Sequence, residues 1–151
     1  MYIKILFSLF LLIALAAPVS AQKDQICKVW YNQEKTSRVE VYQKGDKFEA
    51  KIIWLSEPTE NGKPKLDKEN PDDKLKSQPV IGMVFLHDLY KTKDDPSYYD
   101  GGKIYDPKNG KTYSCHINFK GNFMLLRGYV LGLPFLGRTS IWTLAEPQYQ
   151  K

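Results

Sequence analysis

Between Ile26 and Leu144 the chain reads as short runs with a two-residue hydrophobic period, each stopped by Gly, Pro, Asn or Asp. No convincing helical period interrupts them, so the pattern confines the chain to β architectures. In "SRVEVYQ" (37–43), Val39 and Val41 alternate with Arg38, Glu40 and Tyr42. In "FEAKIIWL" (48–55), Phe48, Ala50, Ile52 and Trp54 alternate with Glu49, Lys51, Ile53 and Leu55. The intervening "KGDK" supplies Gly45-Asp46 for a hairpin turn. Further β-rich runs are "ICKVWY" (26–31), "VIGMVFLHDL" (80–89), "GKIYD" (102–106), "KTYSCHINF" (111–119), "FMLLRGYV" (123–130) and "RTSIWTL" (138–144). "PKNG" (107–110) joins two of them: Pro107 presets φ for a turn, and Asn109-Gly110 accept positive φ. Eight strands in one domain of ordinary size predict an all-β fold, an eight-stranded antiparallel up-and-down β-barrel. Closure leaves no free edge, and a barrel of this size holds side chains or one small ligand. A two-sheet sandwich is the alternative.

The ends and the loops bound the domain. Lys4, an apolar run from Ile5 to Ala17, Pro18 and the small residues before Gln22 have the layout of a secretory signal. The run is too short to span a bilayer comfortably. The expectation is therefore a cleaved signal peptide at 1–21 and a single domain at 22–151, secreted or periplasmic, with Cys27 too far from the cleavage point for a lipid anchor. Loss of Lys4 takes the formal charge from +5 to +4. Basic residues alternate with acids, as in "KPKLDKENPDDKLK", and leave no stripe for a nucleic acid to follow. Such a charge suits solubility or loose attraction to anionic envelope surfaces. Residues 56–79 hold Pro58, Pro64, Pro71 and Pro79 among many charges. They cannot bury a face and are predicted to form a long surface loop with a helical turn at 72–76.

Candidate chemistry is sparse. Cys115 and His116 are neighbours on a strand and point to opposite faces, so they cannot act as nucleophile and base. Ser114 and His116 share a face but sit about 7 Å apart along it. The Cys and His spacings match no zinc site, and "DPKNG" lacks the later carboxylates of a calcium loop. No catalytic residue, metal or cofactor is assigned. Asp94, Asp95, Asp100 and Asp106 around Tyr98 and Tyr99 raise a sugar-binding or glycosidase reading; solvated loop acids are the simpler one. Cys27 and Cys115 can bridge only if Cys27 precedes the first strand in a segment crossing the barrel's end; otherwise they are buried thiols. Trp30 on the first strand and Arg138 on the last are expected to form a structural latch across the closure.

Three stretches, "DKENPDDKLKSQPVIGM", "YYDGGKIYDPKNGKTYSCHI" and "MLLRGYVLGLPFLGRTSIWTL", carry a family resemblance. In order and spacing over nearly the whole mature chain they resemble the DUF2147 family of exported bacterial proteins. The resemblance implies a lipocalin-like, calycin-type barrel and no assigned activity, so it transfers no catalytic residue. One departure is Lys28, which stands where calycin barrels tend to carry the glycine of an opening Gly-x-Trp.

The reading is an exported, non-enzymatic binder of a small apolar or amphipathic ligand. Phe48, Ile52, Trp54, Met83, Phe85, Tyr113 and Ile117 are expected to line the site, with Arg127 and Tyr129 as its polar groups. The alternative is a protein- or envelope-interaction module with a filled barrel, its contact made by the apolar loop 130–137. That loop carries Val130, Leu131, Leu133, Phe135 and Leu136.

Overall fold

The computed structural model describes residues 23–145; the expected signal peptide lies outside them. The elements are β1 (Val29–Tyr31), β2 (Ser37–Lys44), β3 (Lys47–Leu55), β4 (Thr59–Glu60), β5 (Lys63–Pro64), β6 (Val84–Lys91), β7 (Tyr98–Asp106), β8 (Lys111–Lys120), β9 (Phe123–Tyr129) and β10 (Gly137–Leu144). Eight of them form a closed barrel in the order β1-β10-β9-β8-β7-β6-β3-β2, every pair antiparallel. Closure falls on the shortest barrel strand: Trp30 pairs with Leu144 on one side and Val39 on the other. The barrel expected from the alternating runs is therefore present, and the sandwich is not.

Two strand boundaries move. Residues 80–83 are a turn rather than part of a strand, because Gly82 at φ 93° reverses the chain and donates its amide to the Ile52 carbonyl. Residues 26–28 are a turn too, with the Cys27 amide bonded to the Asp24 carbonyl at 2.9 Å. Within 56–79, β4 and β5 make a small hairpin over Asn61 and Gly62, both at positive φ, and Leu66 bridges to Pro79. Around 72–78 there are hydrogen-bonded turns, with no helix among the described residues.

The connections divide by end. Segments 32–36, 56–83, 107–110 and 130–136 gather at one end, which becomes the mouth; 45–46, 92–97 and 121–122 lie at the base. The chain before β1 seals the base. Ile26 is fully buried, and its carbonyl accepts the Trp30 indole N–H at 3.0 Å. Trp30 packs against Phe119, Phe119 against Tyr99, and Tyr99 edge-on against Phe48. The Tyr99 hydroxyl donates to Asp24, whose other carboxyl oxygen meets Lys91 at 2.8 Å. These aromatic contacts and the buried aliphatics Leu89, Ile117 and Met124 make the lower barrel solid.

A Cβ at Gly102 would lie 2.6 Å from the Cys115 sulfur and 2.9 Å from a Leu89 methyl, so a side chain there would displace the base packing. Ile26→Ala is expected to lower stability by about 2–4 kcal/mol, whereas exposed Leu131→Ala should stay within about 0.5 kcal/mol; urea denaturation of the two variants measures the contrast. Burial pushes the Asp24 carboxyl up, but its bonds from Lys91, Tyr99 and the Ile26 amide together hold it below the usual range. A depressed carboxyl adds stability that is present above its unfolded pKa and lost as pH falls through the folded one. The wild-type urea midpoint should fall on going from neutral pH to about pH 3, and Asp24→Asn should flatten part of that fall.

Candidate functional site

Above the packed base the barrel is hollow. A cavity of about 760 Å³ opens among the mouth loops. Its walls include Val39 of β2, Ile52 and Leu55 of β3, Phe85 of β6, Ile104 of β7, Leu126 of β9 and Trp142 of β10. Phe85 and Trp142 reach from opposite sides of the barrel and stack with ring centroids 6.3 Å apart, so the pair floors the cavity. Gly128 helps keep the space open: on the inward parity of β9, a Cβ there would find no atom nearer than 4.0 Å, the first being Ile104 and Tyr113. The polar rings among the walls are already satisfied. Trp142 donates its N–H to Ser140 Oγ at 2.9 Å, and the Tyr113 hydroxyl accepts from Asn109 at 3.0 Å. At the rim stand Asn32, Glu34, Lys65, Lys108 and Arg138.

The 56–83 connection straps the mouth. Leu66 and Val80 contribute to the cavity wall, and Val80 is buried. Between them Asp67 is only 1% exposed. It accepts hydrogen bonds from the Tyr105 hydroxyl at 2.7 Å and from the Asn70 amide at 2.6 Å. Burial, reinforced by that bond, pushes the Tyr105 phenol up to about 12. Gly110 lets the strap lie against the 107–110 turn: it sits at φ 68°, and a Cβ there would fall 1.9 Å from the Glu69 carbonyl oxygen.

The residues assigned from sequence divide among four places. Ile52, Phe85 and Tyr113 line the cavity. Phe48 and Ile117 point inward but lie in the packed core, Phe48 against Tyr99. Met83 sits on the strap side, in a groove of about 620 Å³ outside the wall that it shares with His87 and Lys103. Trp54 and Arg127 are corrections, and Tyr129 touches the cavity only at its edge. Ile53 is left unpaired by a β-bulge, Val39 facing Ile52 while Arg38 faces Trp54, and the extra residue turns Trp54 to the outer face. There it meets Tyr31 edge-on at 6.2 Å and lies under the Arg38 guanidinium at 4.7 Å. Arg127 alternates with inward Leu126 and Gly128; on the outside it donates to the Pro134 carbonyl at 2.7 Å and to Thr139 at 2.9 Å. Tyr129 borders the rim, but its ring packs against His116, which also meets Tyr98.

The expected Trp30–Arg138 latch is also replaced. Trp30 belongs to the base, and Arg138, opposite Gly128, stands at the mouth on the inward parity of β10. The cation–aromatic contact on this wall is made instead by Arg38 with Tyr31 and Trp54. Cys27 and Cys115 are buried as free thiols, and burial pushes the Cys115 thiol up to about 12. Among the described residues no group of His, Cys, Asp and Glu is placed to hold a metal ion.

Val39, Leu126 and Trp142 were legible as apolar strand residues but not as cavity walls. That required knowing which parity of each strand turns inward, and at which level the core stops being filled.

A closed eight-stranded antiparallel barrel, sealed at one end and hollow at the other, is a lipocalin-like fold, an architecture suited to small ligands. The chain is similar to a solved structure described as "Protein HP1028 from the human pathogen Helicobacter pylori belongs to the lipocalin family". The two share 29% identity and a TM-score of 0.72, over 82% of this chain and 84% of that one. Residues 29–144 match the DUF2147 family, described as an uncharacterized protein conserved in bacteria, and the chain belongs to that family. No curated protein matches the sequence.

Tyr105→Phe removes one of two bonds to a buried carboxylate and is expected to cost about 1–3 kcal/mol. Limited proteolysis should then cut within 65–80 faster than in the wild type, while near-ultraviolet dichroism reports the barrel core intact.

Proposed function

We propose that the protein is an exported, non-enzymatic carrier of a small apolar or amphipathic ligand, such as a fatty acid or related lipid. The single observation that carries this reading is the 760 Å³ cavity with aliphatic and indole walls. Small-molecule sites commonly occupy about 300–1,000 Å³ and are mostly apolar, with a few polar groups fixing orientation. An alkyl chain entering tail-first would cover Ile52, Phe85, Leu126 and Trp142, gaining about 0.8 kcal/mol per buried methylene. Its polar end would then lie at the rim, where Arg138 and Lys108 offer donors and positive charge to a carboxylate.

The absence of catalysis is part of the reading, and it is supported by geometry. His116 faces out between Tyr98 and Tyr129, while Cys115 faces in with its thiolate suppressed. The filled barrel of the alternative reading is disfavoured by the same cavity; the apolar loop on which that alternative relied is taken up below.

A fluorescent fatty acid titrated into the purified protein tests the proposal. Saturable one-to-one binding that quenches indole emission is expected, and Gly128→Leu should weaken it by about tenfold or more by placing a side chain in the tail space. Arg138→Gln should weaken a fatty acid by several-fold while leaving the matching fatty alcohol nearly unchanged. No binding by the wild type, or equal binding by Gly128→Leu, would contradict the assignment of the cavity.

A further inference from the structure

The β9–β10 connection stands beside the cavity mouth and exposes what most proteins bury. Leu131 is 85% exposed and Phe135 74%, and Val130, Leu133 and Leu136 are exposed as well. Single exposed apolar residues are ordinary, but a contiguous group marks a contact surface. The loop does not owe this exposure to a lack of structure. Val130 donates to Leu136, Leu133 to Val130 and Leu136 to Leu133, so the backbone closes on itself. The Arg127 guanidinium holds the Pro134 carbonyl from below. Leu131 sits at φ 54°, left-handed backbone that a leucine seldom adopts, and the loop keeps it there. The apolar tip is therefore presented by a built turn.

Charge around the tip is net positive. Arg127 and Arg138 flank the loop, and the chain from Lys120, at the base end of β8, to Ala145 carries no carboxylate. On the same rim Lys65 and Lys108 stand with Glu34 and Asp106, so the two arginines leave the mouth cationic. Apolar side chains projecting ahead of cations match the boundary of an anionic bilayer, where the tips enter the acyl region and the cations meet headgroups. A folded protein partner needs polar groups to pair with, and the tip offers no polar side chain between Val130 and Gly137, while the Val130, Leu133 and Leu136 amides are bonded within the loop. Val130 and Leu136 also line the cavity, so a bilayer seated on the tip would lie against the open mouth.

We propose that the 130–137 loop docks the protein on anionic lipid surfaces and sets the cavity mouth at the bilayer boundary, where a single-chain amphiphile can pass between membrane and barrel. The docking stands on the loop alone; the transfer rests on the carrier reading above.

Flotation of the purified protein with vesicles of phosphatidylcholine and phosphatidylglycerol tests it. The wild type should float, floating less with phosphatidylcholine alone or at high salt. Leu131→Ser combined with Phe135→Ser should cut the floating fraction at least about tenfold, since it removes the two most exposed apolar side chains of the tip. Both positions are exposed, so the variant should keep the wild-type melting temperature. In vesicle-free buffer it should also bind the fluorescent fatty acid as the wild type does. Failure of the wild type to float, or equal flotation by the double variant, would overturn the docking. Loop-dependent self-association with no flotation would overturn it in favour of a protein contact. Flotation without fatty-acid binding by the wild type would leave the docking in place and remove the transfer.

Discussion

Everything in this molecule depends on closing one circle of backbone hydrogen bonds, and the closing piece is three residues long. β1 contributes only Val29, Trp30 and Tyr31, yet it is the element that pairs with both β2 and β10. An open eight-stranded sheet would expose two edges and leave its inner face half solvated. The strand is kept in place by what surrounds it. Trp30 is driven into the base and bonded to the Ile26 carbonyl. Outside, Tyr31 and Trp54 flank the Arg38 guanidinium, giving the closure an aromatic–cation clasp on its solvent side.

Closure then makes inside and outside unequal along the barrel's length. Toward the base, aromatic rings and the turn at 24–28 pack against one another in the core. Toward the mouth, Gly128 stands on the inward parity of β9 and leaves space above the stacked Phe85 and Trp142 rings. The strap through Asp67 partly roofs that space, and the 130–137 loop presents an apolar tip beside it. Stability and candidate function therefore occupy opposite ends. The base carries the buried residues whose loss should unfold the chain, and the mouth carries residues whose replacement should alter ligand or surface contacts first.

Much of this architecture was legible in the sequence. The alternation at Val39–Val41 and Phe48–Ile52 set the inner faces of β2 and β3, and Asn109-Gly110 placed a turn between β7 and β8. The 130–137 loop was legible as an apolar connection, and as a contact surface only in the alternative reading. What escaped were features decided by single-residue insertions and by depth. The extra residue at Ile53 sends Trp54 outward, and alternation alone assigned it inward. Arg127 was assigned to the site and Arg138 to the closure, yet the register puts Arg127 outside and Arg138 at the mouth. The strap was read as a polar loop because its anchoring depends on one carboxylate, Asp67, meeting a tyrosine thirty-eight positions away.

Native mass spectrometry of the protein purified without detergent, before and after denaturation, tests the hollow-barrel account most directly. The account predicts a one-to-one complex, carried through purification or formed on adding a long-chain fatty acid, whose extra mass denaturation releases. A bare protein mass under both conditions would contradict it, because it would mean that the space above the packed base holds no such ligand.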